Sequence, residues 1–89
     1  METKKLATNK IYRITSIKEI QTKFGKTYIL TDEKFDEYFS TNKITKYIQA
    51  NGIENDTNKK ILFTIRTGVY KTFKNEDGNE FKYLDCKIY

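Results

Sequence analysis

The chain contains no histidine, no proline and only one cysteine, Cys86, among its 89 residues. Without histidine it has no Ser/His or Cys/His nucleophile, and general acid–base catalysis loses its commonest group. Zinc and other transition-metal clusters lack their usual ligands, and a single cysteine cannot form an internal disulfide. We therefore expect a non-enzymatic protein with no cofactor and no metal, working inside a cell, in the cytoplasm or the nucleus of a host.

Long apolar segments are also missing. No run approaches the roughly 20 residues that cross a bilayer, and residues 1–10 contain no apolar segment of the kind found in secretion signals. Eighty-nine residues are enough for one domain with a modest core and too few for a two-lobed enzyme cleft. The expectation is one domain that has no membrane segment.

Positive charge is what the sequence has in excess. Basic residues outnumber acidic ones by 17 to 12, for a formal net charge of +5. The excess lies in residues 1–31 and 61–74, whereas residues 32–37 and 75–80 form two short acidic runs. Basic surfaces are typical of nucleic-acid binding, but lysine also accumulates in chains encoded by A/T-rich codons. Charge alone leaves both explanations open.

Residues 10–32 have the pattern of a β-hairpin. β-Branched and aromatic residues dominate, and their alternation slips near Thr15 and Ser16, which predicts one long strand interrupted by a bulge. Gly25 provides the conformational freedom of a tight turn, and residues 27–32 resume the strand pattern. In the turn itself, Phe24 lies between Lys23 and Lys26.

Three more strands and one helix follow. Residues 38–41 predict a short third strand, and Ser40 or Thr41 can cap a helix that ends at Gly52. The apolar positions of this helix have i, i+3, i+4 spacing and are Ile44, Tyr47 and Ile48. Alternating patterns at residues 60–67 and 81–89 predict the last two strands, joined by a loop over residues 67–79.

The predicted fold is all-β with one helix, in the order β-β-β-α-β-β, which is the order of a five-stranded OB-fold barrel. Residues 1–9 lack periodicity and predict a flexible N-terminal tail, so residues 10–89 form the OB-fold domain. The stretches "SIKEIQTKFGKTYIL" and "YFSTNKITKYI", with a basic aromatic stretch before the last strand, resemble small OB-fold single-stranded-DNA-binding proteins of viruses and mobile elements. This resemblance implies DNA binding in replication or recombination.

OB domains bind nucleic acid between the loop after strand one and the loop before strand five, here residues 21–26 and 67–79. Both loops combine rings with cations. Rings stack on bases at about 1–3 kcal/mol per base, and lysine neutralises phosphate, without reading base identity. We therefore predict a nucleic-acid-binding surface that converges from both loops and their flanking strands. Its residues are Arg13, Lys23, Phe24, Lys26, Tyr28, Tyr38, Arg66, Tyr70, Lys71, Phe73 and Lys74.

Several of these side chains have a structural alternative. Phe24 can close the barrel mouth as a lid, Tyr28 can face the core, and both arginines can lie on a solvated face. One of the adjacent rings Tyr38 and Phe39 must point outward in a strand, and we expect Tyr38 because an exposed hydroxyl costs less. Cys86 is expected to be a small buried hydrophobe and not a nucleophile.

The expected function is coating of single-stranded DNA with little sequence preference. One OB domain covers only about 4–16 nucleotides, so we expect a homo-oligomer. Two alternatives remain. The first is a protein-interaction module, such as a viral inhibitor, whose acidic runs at residues 32–37 and 75–80 mimic phosphates. The second is a binder of single-stranded RNA.

Overall fold

The computed structural model describes residues 2–23 and 25–89. They form one helix and a five-stranded antiparallel sheet. Along the chain the elements are β1 (Ile11–Thr22), β2 (Gly25–Asp32), β3 (Glu37–Phe39), α1 (Asn42–Asn51), β4 (Phe63–Lys74) and β5 (Glu80–Ile88). The mostly-β class with one helix is confirmed.

The spatial order of the strands, β3-β2-β1-β4-β5, differs from their order in the chain. β1 is central, and β3 and β5 are the two edges. Within the described residues these edges do not pair with each other, so the sheet is open. The closed barrel predicted from the sequence is therefore not confirmed.

β1 can serve both halves of the sheet because it is interrupted by a bulge. Residues 11–14 pair with β4, and Ile14 and residues 16–22 pair with β2. The register with β2 shifts between Ile14 and Ser16, which confirms the predicted bulge. The hydroxyl of Thr15 donates a hydrogen bond to a backbone carbonyl of β2 at 3.2 Å, so this polar side chain has a hydrogen-bond partner at the bulge.

The helix begins and ends where its capping residues predict. Thr41 is the N-cap, and its hydroxyl accepts from the N–H of Ile44. Gly52 adopts the left-handed conformation at φ 59°, and the N–H of Ile53 returns to the carbonyl of Ile48 at 3.0 Å. A residue with a Cβ is strained in this conformation, so glycine is the natural stop.

The hydrophobic core lies between α1 and the sheet. It takes residues from β1, β2, β4 and β5, from the helix, and from the segment before β1. The buried cluster is Leu6, Tyr12, Ile14, Ile17, Leu30, Ile44, Ile48, Phe63, Ile65, Leu84 and Cys86. Burying one such aliphatic side chain contributes about 1.5–3 kcal/mol, so α1 is held mainly by its two isoleucines.

Residues 2–9 pack against the sheet, unlike the flexible tail that the sequence predicts. The N–H of Lys4 donates to a β3 carbonyl at 2.9 Å, which forms a parallel bridge. Leu6 is only 4% exposed and belongs to the core. The N–H of Ala7 donates to the Tyr12 hydroxyl at 2.8 Å. One isolated leucine gives no periodicity, which is why the pattern along this segment does not reveal its docking.

β4 and β5 extend past the rest of the sheet as a two-stranded arm, which we define as residues 69–83. β1 pairs with β4 only as far as Arg66, whereas β4 continues to Lys74. A register shift between Thr67 and Tyr70 separates the arm from the sheet, and the arm's side chains are exposed. Most of the loop predicted over residues 67–79 is therefore strand.

Candidate nucleic-acid interface

The sheet register separates the two turns that were predicted to form one surface. β1 and β4 are antiparallel, so the β1–β2 turn lies at the C-terminal end of β1 and the arm projects past its N-terminal end. Phe24, the predicted ring of the first turn, lies outside the described residues. The register therefore argues against the predicted convergence of residues 21–26 with residues 70–74.

The predicted residues of β1 and β2 lie apart from the arm. Lys26 is exposed and pairs with Glu19 at 3.3 Å, and Arg13 pairs with Glu33 at 3.2 Å. Tyr28 packs partly buried against the core, as its structural alternative expected. Exposed ion pairs are worth about 0.2–1 kcal/mol, so these pairs contribute little to stability and leave both cations in contact with solvent.

The expectation that Tyr38 points outward is wrong. Tyr38 lies opposite Leu30 on the core side of the sheet, and its ring meets that of Tyr12 edge-on with centroids 4.8 Å apart. Desolvation, aided by the Asp32 carboxylate, raises the pKa of the Tyr38 hydroxyl above its usual 10.0. Phe39 is the exposed ring. The aromatic contact and a hydroxyl partner at the rim favour burial of the tyrosine.

The arm presents Tyr70, Lys71, Phe73 and Lys74 on two faces, whereas Arg66 lies at its base and Lys23 lies in the β1–β2 turn. Directly opposed residues of an antiparallel pair share a face, so Tyr70, opposite Leu84, lies on the inner face, which continues the core side. Lys74 shares this inner face and pairs with Glu80 at 3.7 Å. The outer face of the arm carries Lys71, Phe73, Phe81 and Tyr83.

A groove of about 440 Å³ lies between the base of the arm and the start of α1, lined mainly by the inner face of the arm and, from the outer face, by Tyr83. We call it the arm groove. Its aromatic lining residues are Phe39, Tyr70 and Tyr83, and its basic ones are Lys5, Lys43 and Lys82. Leu6, Leu84, Ser40, Thr41 and Asn42 complete it. None of these lining residues is acidic, so the groove combines flat apolar surfaces with positive charge.

The start of α1 adds to the positive potential of the arm groove. The first turn of the helix holds no acidic residue, so its partial positive charge is not neutralised locally. The ammonium group of Lys43, in the same turn, donates to the carbonyl of Cys86 at 2.5 Å. This hydrogen bond ties the helix start to the edge strand β5 and holds one charge at the groove.

Cys86 lies below this contact and is only 2% exposed. Desolvation raises the pKa of its thiol above the usual 9.0, although Lys43 acts in the opposite direction. The thiol is therefore protonated at neutral pH and sterically protected. The prediction that Cys86 is a buried hydrophobe is confirmed.

Of the six rings and lysines that line the arm groove, only Tyr70 belongs to the residues predicted from the sequence; the other five are Lys5, Phe39, Lys43, Lys82 and Tyr83. Lys5 lies in residues 1–9, which the sequence predicts to be flexible, and from the sequence we expect Tyr38, not Phe39, to be the exposed ring of β3. Lys43 lies at the groove because of the way α1 is oriented against the sheet, which no local pattern in the sequence indicates. Lys82 had a usable signal, because it stands between Phe81 and Tyr83 in the same alternation of rings and cations that singled out residues 70–74.

The acidic run at residues 32–37 forms a tight turn. The carboxylate of Asp32 accepts from the N–H groups of Lys34 and Asp36 at 2.9 and 3.0 Å. Phe35 has a positive φ of 66° at the tip and is 73% exposed. The described part of the chain contains no group of three acidic or thiol side chains placed to hold a metal ion.

The described residues contain no helix with the length and apolar character needed to cross a bilayer. No protein-family model, no curated protein and no solved structure matches this chain.

Proposed function

We propose that the protein binds single-stranded DNA in the arm groove, without catalysis and with little preference for base sequence. The observation that carries this proposal is the lining itself, in which three rings and three lysines surround one groove with no carboxylate among them. Single-stranded nucleic acid offers flat base faces and a charged backbone, and this pairing of side chains matches both. Hydroxyl and amide groups at the start of α1 supply further hydrogen bonds to phosphate or sugar.

We further propose that the open sheet is an OB-type barrel in which the groove occupies the gap between β3 and β5. Three features support this. β1 is bulged and shared by both halves of the sheet, α1 lies between β3 and β4 in the chain, and both edge strands line the same groove. Bound nucleic acid would lie across this gap and contact both edges.

The size of the groove limits how much strand it holds. Its volume of about 440 Å³ lies in the range of small-ligand clefts, which suits a short stretch of nucleotides. A longer footprint has to continue along the arm or across neighbouring copies of the protein. Binding should therefore strengthen with oligonucleotide length over the first few nucleotides.

The deciding experiment is a titration of labelled oligothymidine, followed by fluorescence anisotropy, with nucleic-acid-free protein. Tyr70→Ala tests the groove, and Tyr89→Ala is its matched control, because Tyr89 is an exposed tyrosine outside the groove. Selective loss on Tyr70→Ala supports the proposal. Oligouridine of equal length distinguishes a preference for RNA from one for DNA.

Phe35 favours a second candidate function, recognition of a basic protein partner. A left-handed conformation costs a residue with a side chain about 1–2 kcal/mol, and this ring is exposed, so its burial does not offset the strain. The surrounding carboxylates repel nucleic acid and attract basic peptides. Binding of a basic partner protein that Phe35→Gly abolishes and Tyr70→Ala spares would support this second function.

A further inference from the structure

The outer face of the arm carries an exposed aromatic cluster, of which Phe73 and Phe81 do not line the arm groove and Tyr83 does. The rings of Phe73 and Phe81 stack with centroids 5.3 Å apart, and Tyr83 meets Phe73 edge-on at 5.9 Å. Even after these contacts the three residues remain 50%, 46% and 43% exposed. A contiguous aromatic patch of this kind on a projecting arm is typical of a protein-interaction surface.

Charges at the two ends of this outer face are opposite in sign. At the base of the arm, Lys87 shares the parity of Phe81 and Tyr83 along β5, and Arg66 lies directly opposite it. At the tip, the turn carries the exposed carboxylates of Glu76 and Asp77. From base to tip, the arm therefore runs from basic residues, through the rings of its outer face, to an acidic turn.

The centre of the face is electrically balanced. Lys71 and Asp85 lie between the rings and the base, and they pair with each other at 3.3 Å. Lys71 lies opposite Tyr83, which is four residues from Lys87 along β5 and three from Glu80, where the strand meets the turn at the tip. A twofold axis through this point would exchange the basic and acidic ends.

We propose that two copies of the chain associate through the outer faces of their arms, antiparallel to each other, about a twofold axis near Tyr83. The aromatic clusters then meet at the centre, and each acidic tip lies on the partner's basic base. A twofold interface must be complementary to itself, and an arm with opposite charges at its two ends meets that requirement when two copies lie antiparallel. This inference goes beyond the proposed function and does not depend on it.

The dimensions of the arm predict how strong this association is. From Arg66 to the turn at the tip, the outer face spans roughly 30 Å, and a two-stranded ribbon with its side chains is about 15 Å wide, so each copy buries about 450 Å². Stable complexes bury about 800 Å² on each partner. The dimer should therefore be weak, forming at micromolar concentrations or above and dissociating as salt screens the charged ends.

A second copy fits this face better than nucleic acid does. The acidic tip continues from the rings and repels phosphate, whereas it is attracted to the basic base of another arm. Edge-to-edge pairing of β5 is the other geometry open to two copies, because β5 is an edge strand of the described sheet. That geometry does not require the charges of the outer face.

Two charge-reversal variants of the full chain test the antiparallel geometry. One carries E76K and D77K, which make the tip basic, and the other carries R66E and K87E, which make the base acidic. Each variant alone places like charges together and should dimerise at least about tenfold more weakly than the unmodified chain. Mixed in equal amounts, the two variants have complementary ends throughout and should restore the dimer.

Sedimentation velocity of nucleic-acid-free protein at about 5–500 μM, at low and moderate salt, provides the measurement. Circular dichroism checks that each variant is folded. Restoration of the dimer in the mixture, together with its loss in F81A, is the expected result. A monomeric unmodified chain at the highest concentration overturns the inference. A dimer that the charge reversals leave unchanged also overturns it and would indicate edge pairing of β5. A mixture of the two variants that stays monomeric overturns it as well.

Discussion

Replacing Tyr70 by alanine removes the ring that the arm contributes to the arm groove. Stacking of one base on one ring is worth about 1–3 kcal/mol, so affinity for oligothymidine should fall about 5- to 150-fold. The ring is 54% exposed, and its cross-strand contact with Leu84 is worth only about 0.2–1 kcal/mol, so the fold should persist. Fluorescence anisotropy gives the affinity, and urea unfolding gives the stability.

Tyr89→Ala is the matched control for this change. The residue is also a tyrosine and is 64% exposed, but it follows the end of β5 and does not line the groove. Its removal should leave affinity within about twofold, because surface substitutions away from a site have small effects. A Tyr70→Ala variant that binds as tightly as the unmodified chain, or an equal loss of affinity in both variants, would refute the role of Tyr70 in binding.

Three further predictions concern the groove, the N-terminal segment and the core-facing tyrosine. If the three groove lysines contact phosphates, a plot of log K against log salt concentration should have a slope of about −2. Lys82→Ala should reduce the magnitude of this slope by about 0.7. A flat salt dependence would contradict this binding mode. Leu6→Ala should lower the free energy of unfolding in urea by about 2–5 kcal/mol, because this leucine is in the core. Thr8→Ala, at an exposed position, should leave that free energy unchanged. Equal effects of the two changes would mean that residues 2–9 are not docked on the sheet. The raised pKa of Tyr38 means that the folded state holds this proton more tightly than the unfolded state does. The contribution of Tyr38 to the free energy of unfolding is therefore complete below pH 10.0 and is lost as pH rises through the folded pKa. Tyr38→Phe should remove that part of the alkaline destabilisation, and an unchanged stability profile above pH 10.0 would count against the assignment.

Features set by neighbouring residues were predictable from the sequence. The bulge near Ser16 follows from slipped alternation, and the helix limits follow from Thr41 and Gly52. These signals are local, because each depends on backbone geometry within a few residues. The arm was predicted only in part, since its alternation of rings and lysines satisfies the pattern of an exposed strand and that of a functional loop equally well.

The choice between Tyr38 and Phe39 could not be made from the sequence. Both rings fit a strand, and the outcome depends on Tyr12 and Asp32, which reach Tyr38 from other parts of the chain. The same holds for Leu6, whose burial depends on core residues far along the chain.

Taken by itself, the sequence determined a small, basic, mostly-β chain without histidine, and it placed one bulge and one capped helix, because composition and backbone preference act locally. Tertiary structure alone decided which rings and lysines share a groove and which cover the outer face of the arm. Strand register and the docking of the helix bring Lys5, Lys43 and Tyr70 together from three separate segments. Such contacts arise from packing between distant segments, and no short-range pattern encodes them.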